Sequence, residues 1–176
     1  SGFTYEIVPV LDVKDPLKAM NITDCSPLHV KWVKKFPKMK DEIRLAKAFA
    51  KSCKVYGAES YKKGFSGHVI DIITINSGGF LQLLRASKKW KKGQKGHVVD
   101  YYNYHKGNSH RELNQSKLQS PLIVIDPVEP SRNASAALAE EKFNLFKNSA
   151  KAFLKKQSMD FFTKQNIDME KVIKKY

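Results

Sequence analysis

Apolar residues return along this chain at several distinct periods, and each period predicts an element. In KMKDEIRLAKAFAKSCKVY, Met39, Ile43, Ala46, Ala50 and Cys53 recur at spacings of three and four. Residues so spaced share one face of a helix, so the run predicts an amphipathic helix. Arg44, Lys47, Lys51 and Lys54 follow the same spacing on a second face and form a basic ridge. GFLQLLRASKKW predicts another helix, with Phe80, Leu83, Leu84 and Ser87 on one side. From Arg132 the chain reads as helical, and SAALAEEKFNLFKNSAKAFLKK groups Leu138, Phe143, Phe146, Ala150 and Phe153. In SPLHVKWVKKF, Ser26 reads as an N-cap and Pro27 as the first helical residue.

Other runs follow a strand-like pattern. GFTYEIVPVLDV alternates and is rich in β-formers, which predicts a strand that needs a partner. SGHVIDIITINSG is apolar almost throughout. Its β-branched residues favour a strand, while its length between glycine stops also allows a buried helix. HVVDYY and PLIVIDPV read as a strand pair. The polar sequence between them, residues 103–120, reads as a mobile insertion. The whole predicts a mainly α domain with a few short strands, without internal repeats.

Charge changes the picture most. The chain has 176 residues and a formal net charge of +15, with a pI near 9.7. Such a surface attracts polyanions, nucleic acid or an anionic membrane surface. No apolar run is long enough to span a bilayer. Two cysteines, Cys25 and Cys53, without a Cys-x-x-Cys pattern, suit free thiols in a reducing cytoplasm. His105 and His110 lie in the polar insertion with no partner cysteine, so a metal site is not expected there. The Lys88–Lys95 run reads as a solvated loop able to meet phosphates.

Lys47 and Tyr56 stand nine residues apart across the end of the basic helix. Alone, each is an ordinary surface lysine or helix-end ring. Together they offer a cation for a triphosphate and a hydroxyl or flat ring for a sugar or base. The following YKKGFSG adds Lys62, Lys63 and a flexible backbone whose N–H groups can approach phosphate oxygens.

The segments EIVPVLDV, ITDCSPLHVKWV, DEIRLAKAF, VYGAESYKKGFSGH, GGFLQLLRASKKW and LIVIDPVEPSRNASAAL together resemble the archaeal class I CCA-adding enzymes, which are tRNA nucleotidyltransferases. The likeness runs over nearly the whole chain in the same order, and is weakest around 103–120. It implies the helical substrate-binding domain of the poly(A) polymerase and oligoadenylate synthetase type. By the resemblance, residues 1–19 are the last strand of a catalytic head and its connector. Residues 20–157 are the central domain, and 158–176 a helical segment leading to a further body domain.

The resemblance also implies addition of C, C and A to the tRNA 3′ end from CTP and ATP with magnesium, in the cytoplasm. The partners are then the tRNA 3′ end and acceptor stem, and a homodimer of the full-length enzyme stays open. Carried over by motif, Ser26 and His29 of SPLH contact nucleotide, Lys47 the triphosphate and Tyr56 the sugar or phosphates. By the same resemblance Arg132 of DPV…RN lies between the tRNA end and the incoming nucleotide; charge pairing makes Asp126 the residue expected to orient it, and Lys62 and Lys63 are expected to contact the RNA or nucleotide. Glu6, in YEIVP, takes the place of the family's third metal-holding carboxylate, usually Asp. The family's Gly-Ser loop and Asp-x-Asp pair have no match, since the one carboxylate-x-carboxylate unit is Asp168-Met-Glu170. The chain is therefore expected to be a piece that adds no nucleotides by itself. Two other readings are a stand-alone basic RNA-binding module and a related enzyme making oligonucleotides or cyclic nucleotides.

Overall fold

The computed structural model describes residues 5, 7–91, 97–109, 113 and 118–163. Five helices and a pair of short strands are described: α1 (Ser26–Val33), α2 (Lys40–Ser52), α3 (Gly67–Ser77), α4 (Phe80–Ser87), β1 (His97–Val99), β2 (Leu122–Val124) and α5 (Glu140–Lys155). The domain is mainly α. None of these helices is long and apolar enough to cross a membrane.

The ambiguous run SGHVIDIITINSG is the central helix, α3. Ser66 caps it by accepting from the Val69 N–H at 3.1 Å, and Gly78 ends it in the left-handed conformation, φ 83°. Every residue from Val69 to Ile75 is buried. A helix covered on all sides shows no amphipathic period, and burial overrides the β-propensity of its isoleucines. α2 and α4 pack on it, and β2 lies against it.

The stripe predicted for α2 holds: Ile43, Ala46 and Ala50 are buried, and Met39 and Cys53 pack at the core's margin. Phe49, fully buried beside that stripe, is the hub. Its ring meets those of Phe80, Phe146 and Phe153 at 5.6–5.9 Å. Phe80, Leu83, Leu84 and Ser87 of α4 are all buried, as their spacing requires. The strand pair also forms. β1 runs parallel to β2, with Val98 opposite Ile123.

Four expectations need correction. Residues 7–13 form no strand; the Leu11 N–H is instead tied to the buried Asp24 carboxylate at 3.0 Å. α1 begins at Ser26 itself, one residue before the predicted start, with no side-chain cap. The chain is not helical from Arg132. Residues 132–139 are turns, and α5 starts at Glu140, although Leu138, Phe143, Phe146, Ala150 and Phe153 share the core as predicted. The described part of the polar insertion is packed: His105, Ser109 and Leu113 are buried. Glu6, His110, Lys92–Lys95, Asp168 and Glu170 lie outside the described residues.

Candidate nucleotide and RNA site

The segment YGAESYKKGFSGH is a tight loop that returns the chain from α2 to α3. The Gly57 N–H donates to the Phe65 carbonyl and the Phe65 N–H to the Val55 carbonyl, both at 2.8 Å, so Tyr56 pairs with Phe65. Gly64 is required here. A Cβ at that position would stand 2.2 Å from the Val55 carbonyl oxygen. The closed loop sets Tyr56 beside the first turn of α3. A Cβ on Gly67 would lie 2.8 Å from the Tyr56 hydroxyl and 3.9 Å from Lys47 Nζ. The lysine and tyrosine paired in the sequence thus converge on one bare stretch of helix N-terminus. Lys51 adds its ammonium 5.0 Å from the Tyr56 ring centre.

Of these groups Lys47 lines a cavity of about 680 Å³ between α1, α2 and the start of α3, and Tyr56 stands beside it across Gly67. Ser26, His29, Lys47, His68 and Asp71 line it, with an apolar wall of Val30, Val33, Phe36 and Ile43 and further cations at Lys34, Lys40 and Arg44. A pocket of this size, apolar with a few convergent polar groups, is what a small organic ligand requires. Its cations select for an anionic one.

Lys47 is held by Asp71, with Nζ 2.7 Å from Oδ1. Burial pushes the Asp71 carboxyl above its ordinary range, against the pull of Lys47. His68, one turn earlier on the same face of α3, stacks on His29 with ring centres 3.8 Å apart. Burial pushes His68 below its ordinary range, and its Nε2 is enclosed with no hydrogen-bond partner.

Behind the histidines lies Asp126, fully buried just past β2. One carboxylate oxygen accepts from His29 Nε2 at 3.0 Å and Arg132 Nη1 at 2.6 Å; the other accepts from the Val128 N–H at 2.9 Å. Burial alone would raise this carboxyl, but the histidines and backbone donors hold it well below the usual carboxylate range. An ionised carboxylate only accepts, so His29 carries a proton on Nε2. The 126–133 hairpin is braced in turn by the buried Asn133, whose side chain accepts from the Val124 and Ser135 N–H groups at 3.0 Å.

The structure therefore brings together Ser26, His29, Lys47 and Tyr56 at or beside the cavity, with Asp126 and Arg132 behind His29. Arg132 lines a second cavity of about 240 Å³ with Cys25, Glu129 and Asn21. Lys62 and Lys63 stand on the outer surface of the loop. Lys62 pairs with Glu59 at 2.9 Å, and neither lysine lines the large cavity. Sequence reading missed His68 and Asp71. The available signal was their spacing of three immediately after GFSG, inside a run whose element type was ambiguous.

His29, His68 and Asp126 also present potential ligand atoms within 4.8 Å of one another. Asp126 instead joins His29 and Arg132 in a hydrogen-bonded relay, with His68 stacked on His29 and its Nε2 3.7 Å from the carboxylate. The cluster does not fit magnesium, which takes an oxygen shell.

The sequence profile of the family described as tRNA nucleotidyltransferase, second domain, matches residues 41–163. Among curated relatives, the chain is 38% identical over 166 residues to the CCA-adding enzyme of Pyrococcus abyssi, covering 92% of the chain and 36% of that protein. It is 39% identical over 145 residues to that of Nanoarchaeum equitans, covering 82% and 37%. It is 31% identical over 174 residues to that of Methanocaldococcus jannaschii, covering 98% and 38%. The chain thus spans a little over a third of the length of these relatives.

Proposed function

We propose that this chain, which belongs to the tRNA nucleotidyltransferase family as its second domain, holds the incoming nucleotide and the tRNA 3′ end for a parent enzyme that adds CCA from CTP and ATP. One observation carries the reading. Lys47 Nζ and the Tyr56 hydroxyl both stand within 4 Å of where a Cβ on Gly67 would be, and Lys47 lines a cation-rimmed cavity walled by His29.

In this reading Lys47 meets the triphosphate as a point charge. Asp71 keeps the ammonium aimed before the ligand arrives, which limits the ordering cost of binding. Tyr56 donates its hydroxyl to a phosphate or sugar oxygen, and Ser26 does the same from the start of α1. His29 is oriented by its Nε2–H bond to Asp126, leaving Nδ1 for the ligand. Arg132, fixed by the same carboxylate, places a guanidinium toward the RNA end. Lys62 and Lys63 meet RNA phosphates outside the cavity, toward the acceptor stem. Binding of tRNA is then largely a phosphate affair and falls steeply with salt.

Magnesium would be held by carboxylates of a catalytic head, with Glu6 the only candidate among those positions in this chain. Glu6 lies outside the described residues, and the side chains around the cavity do not fit the ion, so no step above passes through it. When bound, the ion would supply charge neutralisation at the reacting phosphate.

The test is single-residue substitution in the full-length parent. Lys47→Ala should lower kcat/KM for CTP and ATP by about ten- to a hundredfold, the worth of one charged hydrogen bond. A change within about twofold for both nucleotides would overturn the assignment.

A further inference from the structure

We propose that Tyr102 and Tyr104, on the connection after β1, form a stacking platform for unpaired nucleotides of an RNA strand, separate from the nucleotide cavity. α1 is the wall between the two. Its Ser26, His29, Val30 and Val33 face the large cavity, whereas Leu28, Lys31 and Trp32, with Lys35 just beyond the helix, line a different hollow of about 240 Å³. Tyr102, Tyr104 and Lys14 line it too, with Pro16, Pro127 and Val128.

The two rings are held in place rather than trailing in solvent. Trp32 Nε1 donates to the Tyr102 hydroxyl at 3.1 Å, and the Tyr104 hydroxyl donates to the Pro127 carbonyl at 3.1 Å. The Asp100 carboxylate accepts from the backbone N–H groups of Tyr104 and His105, each at 3.1 Å. The buried His105 bonds the Pro130 carbonyl at 2.8 Å. Tyr101 sits beneath, edge-on to Trp32 and Phe36. Yet Tyr102 and Tyr104 each remain 44% exposed, with ring centres 5.2 Å apart. Fixed aromatic faces cost little ordering when a flat ligand stacks on them.

Charge selects the ligand. Lys14, Lys31 and Lys35 are exposed around these rings, and no described acidic side chain pairs with any of them. Rings interleaved with lysines match a strand whose bases stack while its phosphates meet cations, and base stacking on such rings is tolerant of sequence. An acidic peptide would use the lysines but has no need of the rings.

The test is binding of this chain to a labelled single-stranded RNA of about ten nucleotides, a length such sites cover, beside a blunt RNA duplex. Replacing both rings, Tyr102→Leu with Tyr104→Leu, should weaken single-strand binding by about tenfold or more and leave duplex binding unchanged. Tyr102→Phe with Tyr104→Phe keeps the rings but removes the two hydroxyl bonds that fix them, so it should weaken single-strand binding clearly less than the leucine pair does. Lys31→Gln with Lys35→Gln should weaken both ligands and flatten the salt dependence. Photo-crosslinking of 5-iodouridine RNA to the unmodified chain, mapped to Tyr102 or Tyr104, reads the site without any substitution. The outcome is also independent of the nucleotide cavity, because a Lys47→Ala chain should show the same dependence on the two rings. Leucine variants that fold and bind single strands like the parent, or lose both RNAs equally, would overturn the proposal. So would crosslinks mapping only elsewhere, or displacement of the RNA by polyglutamate as effectively as by unlabelled single strand.

Discussion

His29 and Asp126, 97 positions apart in the chain, share a 3.0 Å hydrogen bond at the back of the large cavity. The bond ties the first helix to the hairpin after β2, and the same carboxylate holds Arg132. Stability and site geometry are therefore linked through one buried group. Removing it strands a guanidinium and an imidazole whose side-chain hydrogen bonds, among the described residues, end on that carboxylate.

Asp126→Ala should accordingly cost about 3–5 kcal/mol, the usual penalty for breaking a buried charged pair. For a chain of this length that is a Tm drop on the order of 6–20 °C. Arg132→Ala should cost less, roughly 1–3 kcal/mol, because His29 still bonds the carboxylate. Thermal and urea denaturation of the two variants checks the order. If Asp126→Ala is the milder change, the relay does not brace the fold.

Acid should weaken the fold in two stages. His68 titrates lower when folded than when unfolded, so below about pH 6.5 the unfolded chain takes up the proton more readily and stability falls. His97, also held down by burial, acts with the same sign. Asp126 is held below its unfolded range, so its contribution is complete above about pH 4 and is lost as the pH falls further. Asp71, pushed up, works in the opposite sense, since charging it as pH rises above about 4 disfavours the folded state. A Tm-against-pH series on the parent and on His68→Gln measures this. The substitution should reduce the upper stage to the part that His97 contributes, and shrink the lower one less, because His29 and the backbone donors still hold Asp126 down. An unchanged upper stage would assign it elsewhere.

Gly67→Ala should disturb the ligand site more than the fold. The new Cβ would press on the Tyr56 hydroxyl at 2.8 Å, an atom at the end of a side chain that can swing away. Gly64→Ala would meet backbone at 2.2 Å and has no such escape, so it should cost about 1–3 kcal/mol. Adding Tyr56→Phe to Gly67→Ala removes the clashing oxygen and should restore the ring's position. Comparing nucleotide affinity with Tm across the three variants separates the two effects.

Phe49→Ala should cost about 3–5 kcal/mol, as for other buried aromatic rings. It would empty the space where Phe80, Phe146 and Phe153 converge. Chemical denaturation gives the value directly, and a loss below about 1 kcal/mol would contradict the hub role.

What the sequence displayed and what it hid follow from the same physics. The stripes of α2 and α4 were legible because each helix buries one face and leaves the other wet. α3 was not, because a helix buried on every side carries no period to read. The strand pair showed itself through short apolar runs with β-branched residues. The turns over 132–139 were hidden by their alanines and by the helix-like spacing of Phe143, Phe146, Ala150 and Phe153 that follows them. Their true conformation is set by Asn133, a single side chain bonding the backbone on both sides of it. At the site, Lys47 and Tyr56 could be paired by motif, but Asp71 and His68 become visible only when α3 is known to be a helix. Lys62 and Lys63, adjacent to the motif in sequence, point to the outer surface because the loop closes through Gly64 and Phe65. The N-terminal alternation predicted a strand, but a strand requires a neighbour, and residues 7–13 have none among the described residues.

The most direct measurement is calorimetric titration of this chain with ATP and with CTP, in metal-free buffer at low salt, beside Lys47→Ala and Lys155→Ala. Both lysines are lost charges, but only Lys47 stands at the cavity. The cavity account predicts saturable binding of both nucleotides, weakened by about tenfold or more in Lys47→Ala and unchanged in Lys155→Ala. Equal affinity for all three proteins, or an equal loss from either substitution, would contradict it.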